Sequence, residues 1–274
     1  GRAVGGVVNV ITKSGSNTMH GSFFGNFQDE AMRSRNFFEK PPGAPTELRK
    51  PDFSRQEFGG SIGGSIIKDR LFYFGTLERF RERQNNAARP DALLQLRAIP
   101  GAQPVDAVPT PYDDWLATVK VDQRLTDNHS IFYRYSFQKN SSPNDQVAVP
   151  ATTDLSGGNT SDNKFHSFVF NLTSTLGGTK LNQFAFHFQD FKNEILSVTD
   201  LPNIVFPSVQ IGQNANVPQA TLIRKFQFRD DYSLVSGNHS LRTGVNFINT
   251  DLGGLFFFRA RGDQVSFFED PLTI

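Results

Sequence analysis

The run Phe58-Gly59-Gly60-Ser61-Ile62-Gly63-Gly64-Ser65-Ile66-Ile67-Lys68-Asp69-Arg70-Leu71-Phe72-Tyr73-Phe74-Gly75 reads as two strands folded on one tight turn. Phe58, Ile62 and Ile66 fall on one side of an extended chain, and Glu57, Ser61 and Ser65 on the other. That period of two marks a β-strand. Lys68-Asp69-Arg70 interrupts it, and Asp tolerates the positive φ that a short hairpin needs. The aromatic run Phe72-Tyr73-Phe74 then leads away from the turn.

The same unit recurs down the chain. Ile131, Tyr133, Tyr135 and Phe137 oppose Arg134, Ser136 and Gln138. Phe184, Phe186 and Phe188 oppose Gln183, Ala185, His187 and Gln189. Leu222, Phe226, Phe228, Tyr232 and Leu234 oppose Lys225, Gln227, Arg229, Asp231 and Ser233. Leu241, Val245 and Phe247 oppose Arg242 and Asn246. Thr126-Asp127-Asn128-His129, Gly177-Gly178-Thr179 and Ser236-Gly237-Asn238-His239 are further short turns. The other connections are long and hold most of the prolines: Asp29 to Asp52, Gln84 to Pro111, Asn140 to Asp162 and Glu194 to Gln219.

Strict alternation of short and long connections has no cause in a soluble sandwich. It is the rule in an outer-membrane barrel, with short turns on the periplasmic side and long loops outside. Strand length agrees. Trp115 to Leu125, Ser130 to Lys139, Lys164 to Thr175 and Thr221 to Val235 each run about ten residues or more, and a tilted strand needs roughly 9–11 to cross a bilayer. The expected fold is therefore all-β: an antiparallel up-and-down meander of about ten long strands, the last near Leu255 to Phe268, forming an open arc of a transmembrane β-barrel. Aromatic rings near strand ends, such as Phe72 to Phe74, Phe132 and Tyr133, fit an interfacial girdle. Two loop segments are expected to be helical, Glu30 to Phe38 and Pro90 to Arg97.

Composition supports this. Of 274 residues 28 are Phe, yet the mean hydropathy is −0.39, so the aromatics serve surfaces that are apolar on one side only. A net charge of +1 gives no reason to expect nucleic acid as a partner. The lack of cysteine excludes disulfides and thiolate metal sites. No stretch reaches the roughly 18 apolar residues of a membrane-spanning helix, which says nothing against a barrel. The chain opens in mid-pattern on Gly1-Arg2-Ala3-Val4 without a signal-peptide pattern, so an upstream start and targeting signal are expected.

The first residues carry a resemblance. Gly5-Gly6-Val7-Val8-Asn9-Val10-Ile11-Thr12-Lys13-Ser14-Gly15 closely resembles the strand that closes the plug domain of TonB-dependent outer-membrane receptors. His20 to Phe24, Arg35 to Phe38 and the Phe58 to Gly75 hairpin look like the Oar-like subgroup of that family. The resemblance covers Gly1 to about Arg83 and rests beyond that on the hairpin pattern. It implies a barrel of 22 strands closed around a plug. Residues 1–17 would then be the end of the plug with its linker, and 18–274 the first part of the barrel, a fragment of the whole receptor. It further implies an outer-membrane location, contact with outer-membrane lipid, and energised uptake of a ligand driven by a TonB-type protein acting through a region outside these residues.

The site residues follow from this. Gly5, Gly6, Val7, Asn9, Ile11, Lys13 and Gly15 form the plug-to-barrel motif. Gly59, Gly60, Gly63 and Gly64 are candidates for a plug-facing wall, because glycine lets a second backbone approach closely. The same glycines also relieve curvature strain in a bent sheet. His166 and His187 lie in strands of one hairpin and could face the lumen together. No catalytic, metal or cofactor-binding set is nominated, and the chain is not read as an enzyme. Two other functions stay open: a passive porin-like barrel, and a secreted soluble β-sandwich that binds a ligand. The transported ligand is unassigned.

Overall fold

The computed structural model describes residues 11–35, 50, 52–145, 154–256 and 264–274. The wall begins with β1 (His20–Asp29), β2 (Phe53–Ile67) and β3 (Leu71–Ala87). After β3 come helix α1 (Pro90–Arg97) and the short β4 (Ala107–Pro109). The wall resumes with β5 (Tyr112–Thr126), β6 (His129–Asp145), β7 (Asn159–Thr175) and β8 (Lys180–Ser197). Two short strands follow, β9 (Asn203–Val205) and β10 (Gln210–Ile211), and then β11 (Gln219–Ser236), β12 (His239–Phe256) and β13 (Gln264–Ser266).

One sheet runs β1-β2-β3-β5-β6-β7-β8-β11-β12, with β4 paired to the outer end of β3 as its tenth strand. Every pair on that path is antiparallel. The order is a meander that does not close. The extensive contacts among described elements lie between hydrogen-bonded neighbours, so the wall is one layer and the sandwich alternative fails. The four expected short turns are all present. Asp69 takes φ 62° and Gly237 φ 58° in theirs, the left-handed conformation that such turns require.

From β2 onward the wall strands are 15 to 18 residues long, longer than expected. They run on through stretches read as loops, β6 to Asp145 and β8 to Ser197. Ladder hydrogen bonds need only backbone, so the pairing outlasts the apolar alternation that marks it in sequence. Of Leu255 to Phe268, expected as the last wall strand, residues 257–263 lie outside the described residues, and the rest does not form one strand. Leu255 and Phe256 end β12, and Gln264–Ser266 pairs in parallel with β9 in a separate three-stranded sheet. Helix α1 stands where it was expected. Glu30 to Phe38 does not form a helix throughout. It gives one 3-10 turn at Glu30–Met32, after which Arg33 is extended, and Asn36 to Phe38 lie outside the described residues.

Register sorts the side chains into two faces. Tyr133, Phe170, Phe186, Phe228 and Phe247 form one unbroken row across five strands. Tyr135, Phe168, Phe188 and Phe226 form the row beside it. Ring centroids in these rows approach to 5.0 Å for Phe186 and Phe228 and 5.1 Å for Phe188 and Phe226. Each such cross-strand pair contributes about 0.2–1 kcal/mol. Tyr133, Tyr135, Phe228 and Phe247 are exposed, Phe247 at 58%, and the other rings of the two rows are half-buried. The opposite face carries Thr118, Lys120, Ser136, Gln138, Asn163, Ser167, Gln189 and Gln227. The rings are therefore not confined to strand ends. Phe72, Phe74 and Phe132, expected in a girdle, stand on the polar face near the short turns.

Candidate functional site: the polar face and the segment that crosses it

Residues 11–19 have no regular structure and cross the polar face at its short-turn end. Three anchors hold them. Lys120 Nζ donates to Ser14 Oγ at 2.6 Å. Asn17 Nδ2 donates to Asp69 Oδ1 at 2.6 Å, and Asp69 N donates back to Asn17 Oδ1 at 2.9 Å. Gly15 lies flat on the sheet backbone: a Cβ there would meet Tyr73 O at 2.3 Å and Gly64 O at 2.4 Å. Only glycine fits so close an approach.

Lys120 is the least expected part of this arrangement. Its side chain is 9% exposed, a costly place for an ammonium unless it is paired. Asp122 Oδ1 at 2.9 Å supplies the counter-charge, and the Phe132 ring centroid lies 5.0 Å from Nζ. Ser14 completes its partners.

The predicted motif divides. Gly15 is in contact with the wall, while Ile11 (93% exposed) and Lys13 are exposed. Gly5, Gly6, Val7 and Asn9 lie outside the described residues. The wall glycines divide as well, because neighbours in a strand face opposite ways. Gly59 and Gly63 are on the polar face, Gly60 and Gly64 on the apolar one. Gly63 carries the close approach, since a Cβ there would stand 3.4 Å from Gly15 Cα and 3.0 Å from the Phe74 ring. The space over Gly59 is filled by the Phe24 ring.

Toward the long loops the polar face becomes a hydrogen-bonding surface. Asn163 Nδ2 donates to Asn140 Oδ1, and Asn193 Nδ2 to Asn163 Oδ1, both at 2.8 Å, a ladder over three strands. Asp114, 6% exposed, accepts from Gln138 Nε2 at 2.8 Å and Tyr112 Oη at 3.3 Å through one oxygen. Its other oxygen is buried without a partner. Arg55 pairs with Glu82 at 2.5 Å. A polar solute passing this face would meet amide, carboxylate and guanidinium groups.

The two strand histidines do not share a face. His166 takes the Tyr135 hydroxyl at 2.6 Å on the apolar side, whereas His187 sits 3.1 Å from Ser167 Oγ on the polar side. Positions 166 and 187 differ by an odd number of register steps across the hairpin, since His166 pairs with Asp190 and His187 with Val169. Among the described residues no carboxylate bonds to His187, so Ser167 and His187 do not make a nucleophile with an oriented base.

The long connections interlock at the other end, which was not foreseen. Ala92 and Leu96 of α1 form a buried core with Phe206 and Val209, and Phe206 stacks on Phe267 at 4.7 Å. Gln103 N donates to Asp154 Oδ2 at 2.8 Å, Gly212 N to Ser156 Oγ at 2.7 Å, Ser208 Oγ to Asp270 Oδ1 at 2.8 Å, and Leu272 N to Gln95 Oε1 at 3.0 Å. The Arg89 guanidinium bonded to Asp91 holds that carboxyl below its ordinary range.

A family model described as "Outer membrane beta barrel domain" matches residues 11–98 and 92–268. The TonB-dependent transporter Oar of Myxococcus xanthus is 34% identical over 96 residues, 33% of this chain and 9% of that protein. The outer membrane transporter YddB from Escherichia coli has a similar structure, with a TM-score of 0.61 at 11% identity, over 87% of this chain and 32% of that one. The chain thus spans about a tenth of the curated relative and a third of the solved structure. At that identity the structural likeness speaks to the fold alone.

Proposed function

Since the chain belongs to the outer membrane beta barrel domain family, and is an open arc of such a barrel in the outer membrane, we propose that it is part of the wall of an energised, TonB-dependent transporter. In this proposal residues 1–17 are the end of a plug and its linker, and 18–274 the wall. Gly5, Gly6, Val7, Asn9, Ile11, Lys13 and Gly15 make the plug-to-barrel connection, and Gly63 gives it room against the wall. The TonB-type partner acts on a region outside these residues. Transport by displacement of a plug needs no bond-making chemistry, so the chain is proposed not to be an enzyme.

The observation that carries this is Ser14 and Gly15 lying against the polar face, held by Lys120 and floored by Gly63. An open pore has no use for a segment anchored across the base of its lumen by a desolvated ammonium. A gated wall does, because the anchor fixes where the moving part is tied. The likeness to a TonB-dependent transporter over 96 residues supports the same choice over a passive porin.

The test uses cells making the full-length protein with Ser136→Cys on the polar face. A bulky membrane-impermeant maleimide added from outside should label the thiol when the inner membrane is energised. Labelling should stop after a protonophore is added. Equal labelling in both states would mean a passive pore and overturn the proposal.

A further inference from the structure

On the apolar face, β1, β2 and β3 enclose a groove of about 510 Å³. Phe23, Phe58, Ile62 and Leu77 wall it, and Gly60 and Gly75 form its floor. Arg79 closes the end away from the Lys68–Arg70 turn. Here the chemistry changes within one residue step. Arg79, Arg81 and Arg83 project from β3 on that face, all directed at Asp113 of β5. Arg83 reaches it at 2.8 Å and Arg81 at 3.9 Å. Arg79 also donates to Asp114 O at 3.1 Å and lies 4.8 Å over Trp115, whose register neighbour on β6 is the exposed Lys139.

Three guanidiniums thus share one carboxylate, with Lys139 a strand away beside Trp115. Asp113 is large enough to aim the guanidiniums and too small to neutralise them. The short turns mark the periplasmic side, so the cluster stands at the outer-leaflet boundary. We propose that groove and cluster together form a binding site for an anionic membrane lipid. An acyl chain lies along the glycine floor, and the headgroup phosphate sits over Arg81, Arg83 and Lys139. Arginine suits this position because its planar fork grips phosphate oxygens bidentately. Trp115 and the aliphatic stems of the arginines bridge the apolar and charged zones. The proposal depends on the outer-membrane location and not on transport.

The test is native mass spectrometry of the full-length protein in detergent. It compares phosphatidylglycerol with phosphatidylcholine of the same acyl chains, with inorganic phosphate as competitor. The wild type should retain phosphatidylglycerol preferentially, and excess phosphate should not displace it. The triple variant R81Q/R83Q/K139Q changes exposed or half-exposed side chains and should lose at least about tenfold of that preference, since each juxtamembrane cation adds appreciably to anionic-lipid binding. G75L fills the floor where an added Cβ meets only Thr118 O at 3.9 Å, and should weaken both lipids alike. An unchanged preference in the triple variant, or displacement by free phosphate, would overturn the site. Full retention in G75L would overturn the acyl groove.

Discussion

Lys120 Nζ and Ser14 Oγ are 2.6 Å apart although 106 positions separate them in the chain. The bond ties the segment before the wall to the middle of the wall. It also accounts for a lysine that is nearly buried in a sheet with few buried side chains. Replacing Lys120 by Met removes the charge and leaves Asp122, already with one unpartnered oxygen, without its counter-ion. Hydrogen bonds to charged groups are worth about 1.5–3 kcal/mol, and a neutral one about 1. K120M should therefore lower the heat-modifiability midpoint of the full-length protein more than S14A does. Equal midpoints for wild type and K120M would remove the anchor from the structure's energetics.

Gly15 makes a sharper test of the same contact. Any side chain there meets two backbone carbonyls that cannot move without breaking the β2–β3 ladder. G15V should lift residues 11–19 off the wall and expose them to protease in isolated outer membranes. G75A, where the space is open, should leave the protease pattern unchanged.

The aromatic rows predict a difference between adjacent residues. Phe228 lies in a row of five rings on the apolar face, and Gln227 on the other. A lysine at the lipid face of a barrel costs about 2–4 kcal/mol near the bilayer centre. F228K should assemble poorly in the outer membrane, while Q227K assembles as wild type. Similar yields for the two would mean that the apolar face does not meet lipid.

Much of this was legible from residues alone. Period two, alternating connections and the turn residues at Asp69, Asn128, Gly178 and Gly237 are local signals, and they located the four short-turn hairpins of the wall, though not the small β9–β10 hairpin inside a long connection. Pro90 ahead of a helical run located α1 for the same reason. Register is not local. Which of Gly59 and Gly60 faces inward, and whether His166 and His187 meet, depends on pairing across strands that one strand's pattern leaves open. Packing between loops is farther still from sequence. Nothing in Pro90 to Arg97 announces Phe206, and nothing in Gln264–Ser266 announces a parallel partner at Asn203–Val205. The stretch Gly5 to Gly15 stood out as a resemblance, but the wall partner of Ser14, Lys120, carried no signal beyond being a lysine in an alternating strand.

The loop core can be separated from the wall. Leu96 is fully buried among Ala92, Phe206 and Val209. Truncating a buried leucine costs about 2–5 kcal/mol. L96A should make residues 198–218 sensitive to protease while heat-modifiable mobility of the wall persists. Loss of both together would mean that loops and wall fold as one unit.

The same loops should respond weakly to acid. Asp91 is held below its ordinary range by Arg89, so its contribution is complete above the usual carboxylate pKa, about 4. It is lost as the pH falls through the lower folded value. Both side chains are more than half exposed, so the effect is small. Protection factors of the α1 amides, corrected for the intrinsic pH dependence of exchange, should fall slightly between pH 4 and pH 2 in the wild type and stay flat in D91N.

The polar face with its docked segment is tested most directly by crosslinking in intact outer membranes. The full-length protein with Ser14→Cys is paired either with Lys120→Cys or with Val119→Cys, its neighbour on the apolar face. The lysine side chain spans a gap too wide for a disulfide, so a short bifunctional methanethiosulfonate joins the thiols. Ser14→Cys should crosslink to position 120 and not to position 119. Crosslinking to 119, or to neither while both thiols remain reactive, would contradict a segment docked inside the wall.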